Sequence, residues 1–350
     1  MKKTIYQIPI CIIGAGSIVG DAHLPAYKLA GYYVKGIANR TPAKALALAE
    51  AFGIEVVYNN LSEMIADNQT DCVYDLTLPA SEIISILEQL PDESTVLIQK
   101  PLGESLDEAR AIHALCGQKK LIAGVNFQLR FAPFVLEAKR MINEGLLGTL
   151  LDLEVYVNVF TPWKQWGFLS SKKRTEINYH SIHYIDMIRS ILGTPQKVFA
   201  RTFRHPNLSE LSYMKSNILM DYGNNPRAVI HTHHDHFYNH QKQEAYIKIE
   251  GTKGAVKISF GALINYPRGA SDHFEYILTD KEKPLWLEKE IEGTWFPHAF
   301  MQTMQQMLLT KTGYIIKPEN SIDDALMTMI CVEAAYFSSE NEGKKIDDFL

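Results

Sequence analysis

At 350 residues the chain is long for a single core and long enough for two domains. Hydrophobic residues make up 46% and charged residues 21%, an ordinary globular composition that excludes a disordered chain. A formal net charge of −5 excludes a general nucleic-acid or anionic-membrane surface.

The first stretch, MKKTIYQIPICIIGAGS, places two lysines before an apolar run, as a secretory leader does. The run is short, lacks a small-residue cleavage site and passes straight into glycines, so it reads as a first strand. No run approaches the ~18 apolar residues of a spanning helix, which predicts a soluble, cytoplasmic protein with no membrane partner. Cys11, Cys72, Cys116 and Cys331 lie scattered in apolar runs without paired metal spacing, as buried reduced thiols do.

Strands then alternate with helices. IPICIIGAG enters a glycine turn, AHLPAYKLAG is a helix ending at Gly31, and YVKGIANR is the next strand. TPAKALALAEAFG is a helix with Pro42 in its first turn and Gly53 as its stop. DCVYDLTLP, STVLIQKP and KLIAGVNF are strands separated by the helices ASEIISILEQLP and LDEARAIHALCGQ. This order predicts a parallel, doubly wound Rossmann domain over residues 1–125. From residue 126 to 350 the pattern changes to α+β: LLDLEVYVNVF, KVFARTFRH, SYMKSNILMDYG, PRAVIHTHHDHF, EAYIKIEGTKGAVKIS and FEYILTD are strand-like. The fold class expected is therefore α/β, with a C-terminal domain built on a large, mostly antiparallel open sheet. The tail from His298 to Glu340 is mostly helical, and its last helix is a candidate to pack back on the first domain. With no linker or repeat between them, the two domains are expected to share a close interface.

IGAGSIVG puts Gly14 and Gly16 directly after the first strand. Gly14 would permit the tight turn, and Gly16 would let backbone approach a pyrophosphate held at the next helix N-terminus. Gly14, Gly16, Ser17 and Ile18 are the candidate phosphate contacts. Val19 stands where a third glycine is usual, and a ligand-free βα turn is the plainer reading. After the second strand, Asn39, Arg40 and Thr41 replace the acid that would accept from a ribose. Arg40 could pair with a 2′-phosphate, which tilts the expectation from NAD toward NADP; stacking on the adenine of NAD is the alternative.

The stretches GAGSIVGDAHLPAY, QKPLGESLDEA, NFQLRFAP, GLLGTLLDLE, HYIDMIRSILGTP and DDALMTMICVEAAYFSSENEGKKI occur in an order that resembles the Gfo/Idh/MocA oxidoreductases. The resemblance spans nearly the whole chain. It implies NAD(P)-linked oxidation or reduction of a sugar, cyclitol or related polyol, and a homodimer or homotetramer formed through the C-terminal sheet. The family's Glu-Lys-Pro signature is here Gln99-Lys100-Pro101. By the resemblance Lys100 lies between nicotinamide and substrate hydroxyl, where an ammonium stabilises developing alkoxide. Gln99 removes a carboxylate that would hold the lysine's proton. A second family motif, Asp-x-Gly-x-His-x-x-Asp, is here Tyr179-x-Ser181-x-His183-x-x-Asp186. His183 thus matches the catalytic histidine, and imidazole suits exchange of the hydroxyl proton. Tyr179 replaces the acid and is a third catalytic candidate; His180 could supply the missing group, and a buried helix is the plainer reading.

Thr77 and Pro79 follow the fourth strand, on the nicotinamide side by the resemblance. Asn126, Arg130 and Trp163 join Lys100, Tyr179, His180 and His183 as candidate substrate contacts. Lys164 and Trp166 are weaker ones, as is His298. HTHHDH (His231 to His236) matches the H-x-H-x-D-H pattern of dinuclear metal hydrolases, yet it lies behind a dinucleotide domain and reads as a strand whose alternation would put His231, His233 and Asp235 on one face. No metal site is expected. A cofactor-binding regulator without turnover is the remaining alternative, motivated by Gln99 and Tyr179.

Overall fold

The computed structural model describes residues 4–163, 169, 172–206, 213–279 and 283–341. Lys164 and Trp166 lie outside them. In chain order the strands and helices of the N-terminal part are β1 (Ile10–Ile13), α1 (Leu24–Ala30), β2 (Val34–Ala38), α2 (Pro42–Phe52), β3 (Val56–Tyr58), α3 (Leu61–Asn68), β4 (Val73–Leu76), α4 (Ile83–Gln89), β5 (Thr95–Ile98), α5 (Leu106–Gln118) and β6 (Ile122–Val125). There follow α6 (Pro133–Asn143), β7 (Leu150–Asn158), α7 (Ile182–Leu192), β8 (Lys197–Phe203), β9 (Lys215–Asp221), β10 (Arg227–His233), β11 (Glu244–Gly251), β12 (Gly254–Ser259), β13 (His273–Leu278), β14 (Leu287–Lys289), α8 (His298–Lys311) and α9 (Ile322–Glu340).

The chain divides into two compact units. The first takes Met1–Ala132 and Trp295–Met329, the second Pro133–Thr294 and Ile330–Leu350. The fold is α/β: a parallel Rossmann unit and a unit with a mostly antiparallel open sheet.

In the first unit six parallel strands run in the order β3-β2-β1-β4-β5-β6. Every residue of β1, β4 and β5 is buried, as a parallel sheet covered on both faces requires. The strand order reverses between β1 and β4, which opens a crevice at their C-terminal ends. α8 returns from the far end of the sequence to complete the core: Phe300, Met304, Met307 and Leu308 pack with Ile10, Ile12 and Leu97. The approach is close, since a Cβ on Gly124 of β6 would meet Met307 Sδ at 2.6 Å. β3 and α3 are not among the elements expected between α2 and β4. β3 has three residues, too few to show a period, and α3 is announced only by Asn60, whose side chain accepts from Glu63 N–H at 2.9 Å.

The second unit is built on an eight-stranded sheet in the order β14-β13-β12-β11-β7-β10-β9-β8. Its pairings are antiparallel except β7 with β10, which is parallel. Burial alternates along the strands: Leu153, Val155 and Val157 of β7, Ile218 and Met220 of β9, and Ile247 and Ile249 of β11 point to one covered face. The other face leaves Phe199, Phe203 and Leu219 exposed. β14 is missing from the sequence reading because its three residues are bounded by no turn signal. β10 ends earlier than expected, at His233. Beyond it the alternation fails, and His234, Asp235 and His236 are all buried.

Cys11, Cys72, Cys116 and Cys331 are buried free thiols. Among the described residues, no helix is long and apolar enough to cross a membrane.

Candidate active site

The first unit presents a glycine turn at the strand-order reversal. Gly14 has φ +117°, a conformation open to glycine, and its N–H donates to Ala38 O at 2.8 Å. Thr77 crosses behind it: its N–H and Oγ1 both donate to Ile13 O, at 2.9 and 3.1 Å. A Cβ at Gly16 would meet no atom within 4 Å, and Gly16 and Ser17 are exposed. The turn is thus filled beneath Gly14 and open above Gly16, which fits backbone laid against a pyrophosphate. A π-helical turn over Val19–His23 runs on into α1, aligning amide groups toward that opening. Val19, in the place of a third glycine, is wholly buried in the core.

Asn39 has a structural task. Its Oδ1 accepts from Ala15 N–H at 3.1 Å, and its Nδ2 donates to Thr41 O at 2.9 Å, bracing the glycine turn from β2. Arg40 projects into solvent, 92% exposed, with Glu82 3.9 Å away. Pro79 is also exposed.

Lys100 follows β5 and precedes Pro101 across a cis peptide bond. Burial lowers its pKa to about 8. Gln99 does more than remove a charge: its Oε1 accepts from Lys100 N–H at 2.9 Å, and its Nε2 stands 3.2 Å from His23 Nε2. His23 in turn meets Asp75, with Nδ1 2.8 Å from Oδ2, and both side chains are buried. Two expected substrate contacts are engaged inside this unit. Asn126 is wholly buried, its Nδ2 3.3 Å from His23 Nε2 and its Oδ1 accepting from Thr303 Oγ1 at 2.9 Å. Arg130 is 2% exposed and donates to Asp324 Oδ2 at 2.5 Å and to Glu319 O at 3.1 Å.

In the second unit, Ile177–Ser181 form another π-helical turn that opens α7. Such turns recur where a helix must re-aim side chains. His183 is 7% exposed and Asp186 wholly buried. Trp163, Tyr179 and His180 come together. Tyr179 packs on a cluster of Trp163, Leu169 and Met214, and the His180 ring lies 4.9 Å from that of Trp163 and 4.5 Å from that of His234. Trp163 is 5% exposed, so its indole is enclosed by protein. Beneath them lies a charged group that sequence reasoning misses. Glu176 is fully buried, accepts from Ser181 Oγ at 2.7 Å and has His234 Nε2 3.5 Å away. Burial opposes its charge, yet His234 and Ser181 hold its pKa below the ordinary value. His298 is the first residue of α8 in the first unit.

The histidine run divides among three environments. His231 bonds Asn217 at 2.7 Å and stacks on Tyr156, His233 pairs with Asp235 at 2.5 Å, and His234 bonds Thr161 at 2.9 Å in the core. Among the described residues no cluster of three or more histidine, cysteine or acidic side chains could hold a metal.

A Rossmann unit with an open glycine turn, joined to a unit with a large open sheet, defines a dinucleotide-dependent oxidoreductase architecture. Residues 8–127 match the model of the oxidoreductase family with an NAD-binding Rossmann fold, and residues 135–257 that of the GFO/IDH/MocA C-terminal domain; the chain belongs to this family. It is 25% identical to D-apiose dehydrogenase of Rhizobium rhizogenes over 96% of each chain. It is 23% identical to D-apiose dehydrogenase of Paraburkholderia graminis, covering 98% of this chain and 90% of that one. An oxidoreductase from Agrobacterium radiobacter, solved with NAD+, L-tartaric acid and magnesium, superposes with a TM-score of 0.80 at 21% identity, over 98% of this chain and 100% of that one.

Proposed function

We propose that the chain passes a hydride between a nicotinamide cofactor and a secondary alcohol or carbonyl of a sugar, cyclitol or related polyol. The observation that carries this reading is the place of Lys100: an amine just past the C-terminal end of β5, one strand from the β1/β4 reversal and in the same unit as the glycine turn. Burial there lowers its pKa to about 8. A bound nicotinamide supplies the hydride acceptor or donor. Lys100 hydrogen-bonds the reacting oxygen and stabilises its developing negative charge, and His183 takes or returns the hydroxyl proton. Tyr179 and His180 support His183. Arg40 favours NADP over NAD, because a guanidinium pairs well with a 2′-phosphate. D-apiose is the first substrate to try, since two relatives that align along nearly the whole chain are named for it.

A second copy of the chain covers the open sheet face at Phe199 and Leu219; Leu219→Glu should then turn an oligomer into a monomer in light scattering.

The experiment is a screen of pentoses, cyclitols and sugar acids with both cofactors, following absorbance of the reduced nicotinamide. Lys100→Met and His183→Ala should each abolish turnover and leave cofactor binding intact. Unchanged rates would reject the assignment. Tight cofactor binding without turnover on any substrate would favour the second reading, a cofactor-binding regulator, which Gln99 and Tyr179 in place of acids motivate.

A further inference from the structure

The hydrogen bonds around Gln99 can be assigned from one fixed donor. A backbone N–H can only donate, so the Gln99 atom 2.9 Å from Lys100 N is the amide oxygen, Oε1. Gln99 therefore turns its NH₂ toward His23 Nε2, 3.2 Å away. A second amide nitrogen, Nδ2 of Asn126, stands 3.3 Å from the same ring atom. His23 Nε2 must then be the acceptor, and the ring proton sits on Nδ1. There it faces Asp75 Oδ2 at 2.8 Å, and Tyr27 donates its hydroxyl to the same oxygen at 2.6 Å.

The dependence runs one way. Asp75 selects the tautomer of His23, the tautomer selects the orientation of the Gln99 amide, and the amide holds the backbone of Lys100. His23, Tyr27 and Asp75 are wholly buried, and the Phe300 ring packs edge-on against the imidazole at 5.0 Å. A buried carboxylate and imidazole are costly without a full set of partners. The core of a Rossmann unit does not need them for stability, and apolar side chains would fill the same space.

We propose that His23 is a positioning residue: with Asp75 and Tyr27 behind it, it fixes Gln99 and through Gln99 the main chain from which Lys100 reaches the substrate oxygen. This rests on the reading of Lys100 given above. Displacement of a catalytic group by an ångström costs on the order of a hundredfold in rate, which is the scale on which such a brace acts.

Two measurements test it. The ¹⁵N ring shifts of His23 in the whole protein at neutral pH should show a protonated Nδ1 and a bare Nε2. The opposite tautomer, or an imidazolium, would overturn the assignment whatever the substrate proves to be. Kinetics then use the polyol and cofactor turned over fastest in the screen. His23→Phe and Gln99→Leu should each lower kcat about tenfold to a hundredfold, with KM and cofactor Kd within about twofold of the parent. His23→Gln, whose amide can accept from Gln99 and donate to Asp75, should recover most of the loss. Gln99 is only half-buried, so its variant keeps the test open if His23→Phe fails to fold. Unchanged kcat in both variants overturns the proposal, as does parallel loss of kcat, cofactor binding and melting temperature without rescue by Gln. Lys100→Met separates the two levels: full turnover in that variant removes the reading of Lys100 itself, whereas its loss alongside unimpaired His23→Phe and Gln99→Leu removes only the brace.

Discussion

Gly14 and Thr77 meet where the order of the six-stranded sheet reverses: a Cβ on Gly14 would lie 2.5 Å from Thr77 Oγ1 and 2.6 Å from Thr77 O. With φ at +117°, Gly14→Ala should cost about 2–4 kcal/mol and lower the melting temperature. Gly16→Ala meets nothing within 4 Å, so its stability should hold while cofactor affinity falls. Thermal unfolding with and without cofactor separates the two, and unaltered affinity in Gly16→Ala would remove the pyrophosphate from this turn.

Arg40 is 92% exposed and its partner Glu82 lies at 3.9 Å, a pair that contributes little to stability. Arg40→Ala should leave the melting temperature unchanged. It should raise KM for NADP about tenfold or more and barely alter that for NAD, since one charge-assisted phosphate contact is lost. Equal effects on the two cofactors would reject the preference for NADP.

The pKa of Lys100, lowered by burial to about 8, makes two claims on pH. If the ammonium is the working form, kcat/KM should decline above about pH 8. For stability the sign follows from proton binding. Between about 8 and the ordinary lysine value near 10.4 the unfolded chain holds a proton that the folded one has released, so stability rises with pH. Lys100→Met should therefore be more stable than the parent by about 1–3 kcal/mol below pH 8, with the gain gone above about 10.4. Denaturant titrations at several pH values measure it.

Arg130 donates to Asp324 and Glu319 within the first unit. Arg130→Met removes the guanidinium's donations to that carboxylate and carbonyl, and Asp324, with its side chain 32% exposed, recovers part of the loss from water. A destabilisation of about 2–4 kcal/mol is expected in urea unfolding. A drop in kcat/KM without loss of stability would instead return Arg130 to the substrate.

His231, His233 and His234 each face a different partner set. Chelation should leave melting temperature and turnover unchanged, and elemental analysis should find no stoichiometric metal. A zinc pair bound per chain would restore the hydrolase reading of HTHHDH.

The alternation of apolar runs and helical stretches made both sheets legible except for the three-residue strands β3 and β14, because burial on two faces and on one face write different patterns. The glycine turn was legible for the same reason: Gly14 and Gly16 sit between a strand and a helix. The His23–Asp75 pair was not. Asp75 stands in an otherwise apolar central strand, and a buried acid there demands a partner, but His23 is 52 residues away and only the folded chain names it. Asn126 and Arg130 were assigned by their place in a motif, while their hydrogen bonds are made to Thr303 and Asp324 near the other end of the chain. Glu176 and His234 escaped for a related reason, since neither residue carries a local sign that it will be buried against the other.

α8 contributes Phe300, Met304, Met307 and Leu308 to a core otherwise drawn from the first hundred or so residues. During synthesis the nucleotide-binding half therefore waits: its strands are made first, but the helix that closes them emerges about 200 residues later, roughly 10–40 s at ordinary elongation rates. An N-terminal fragment cut near Ala132 would leave the ribosome with its apolar face bare, and the natural unit for expression or engineering is the whole polypeptide.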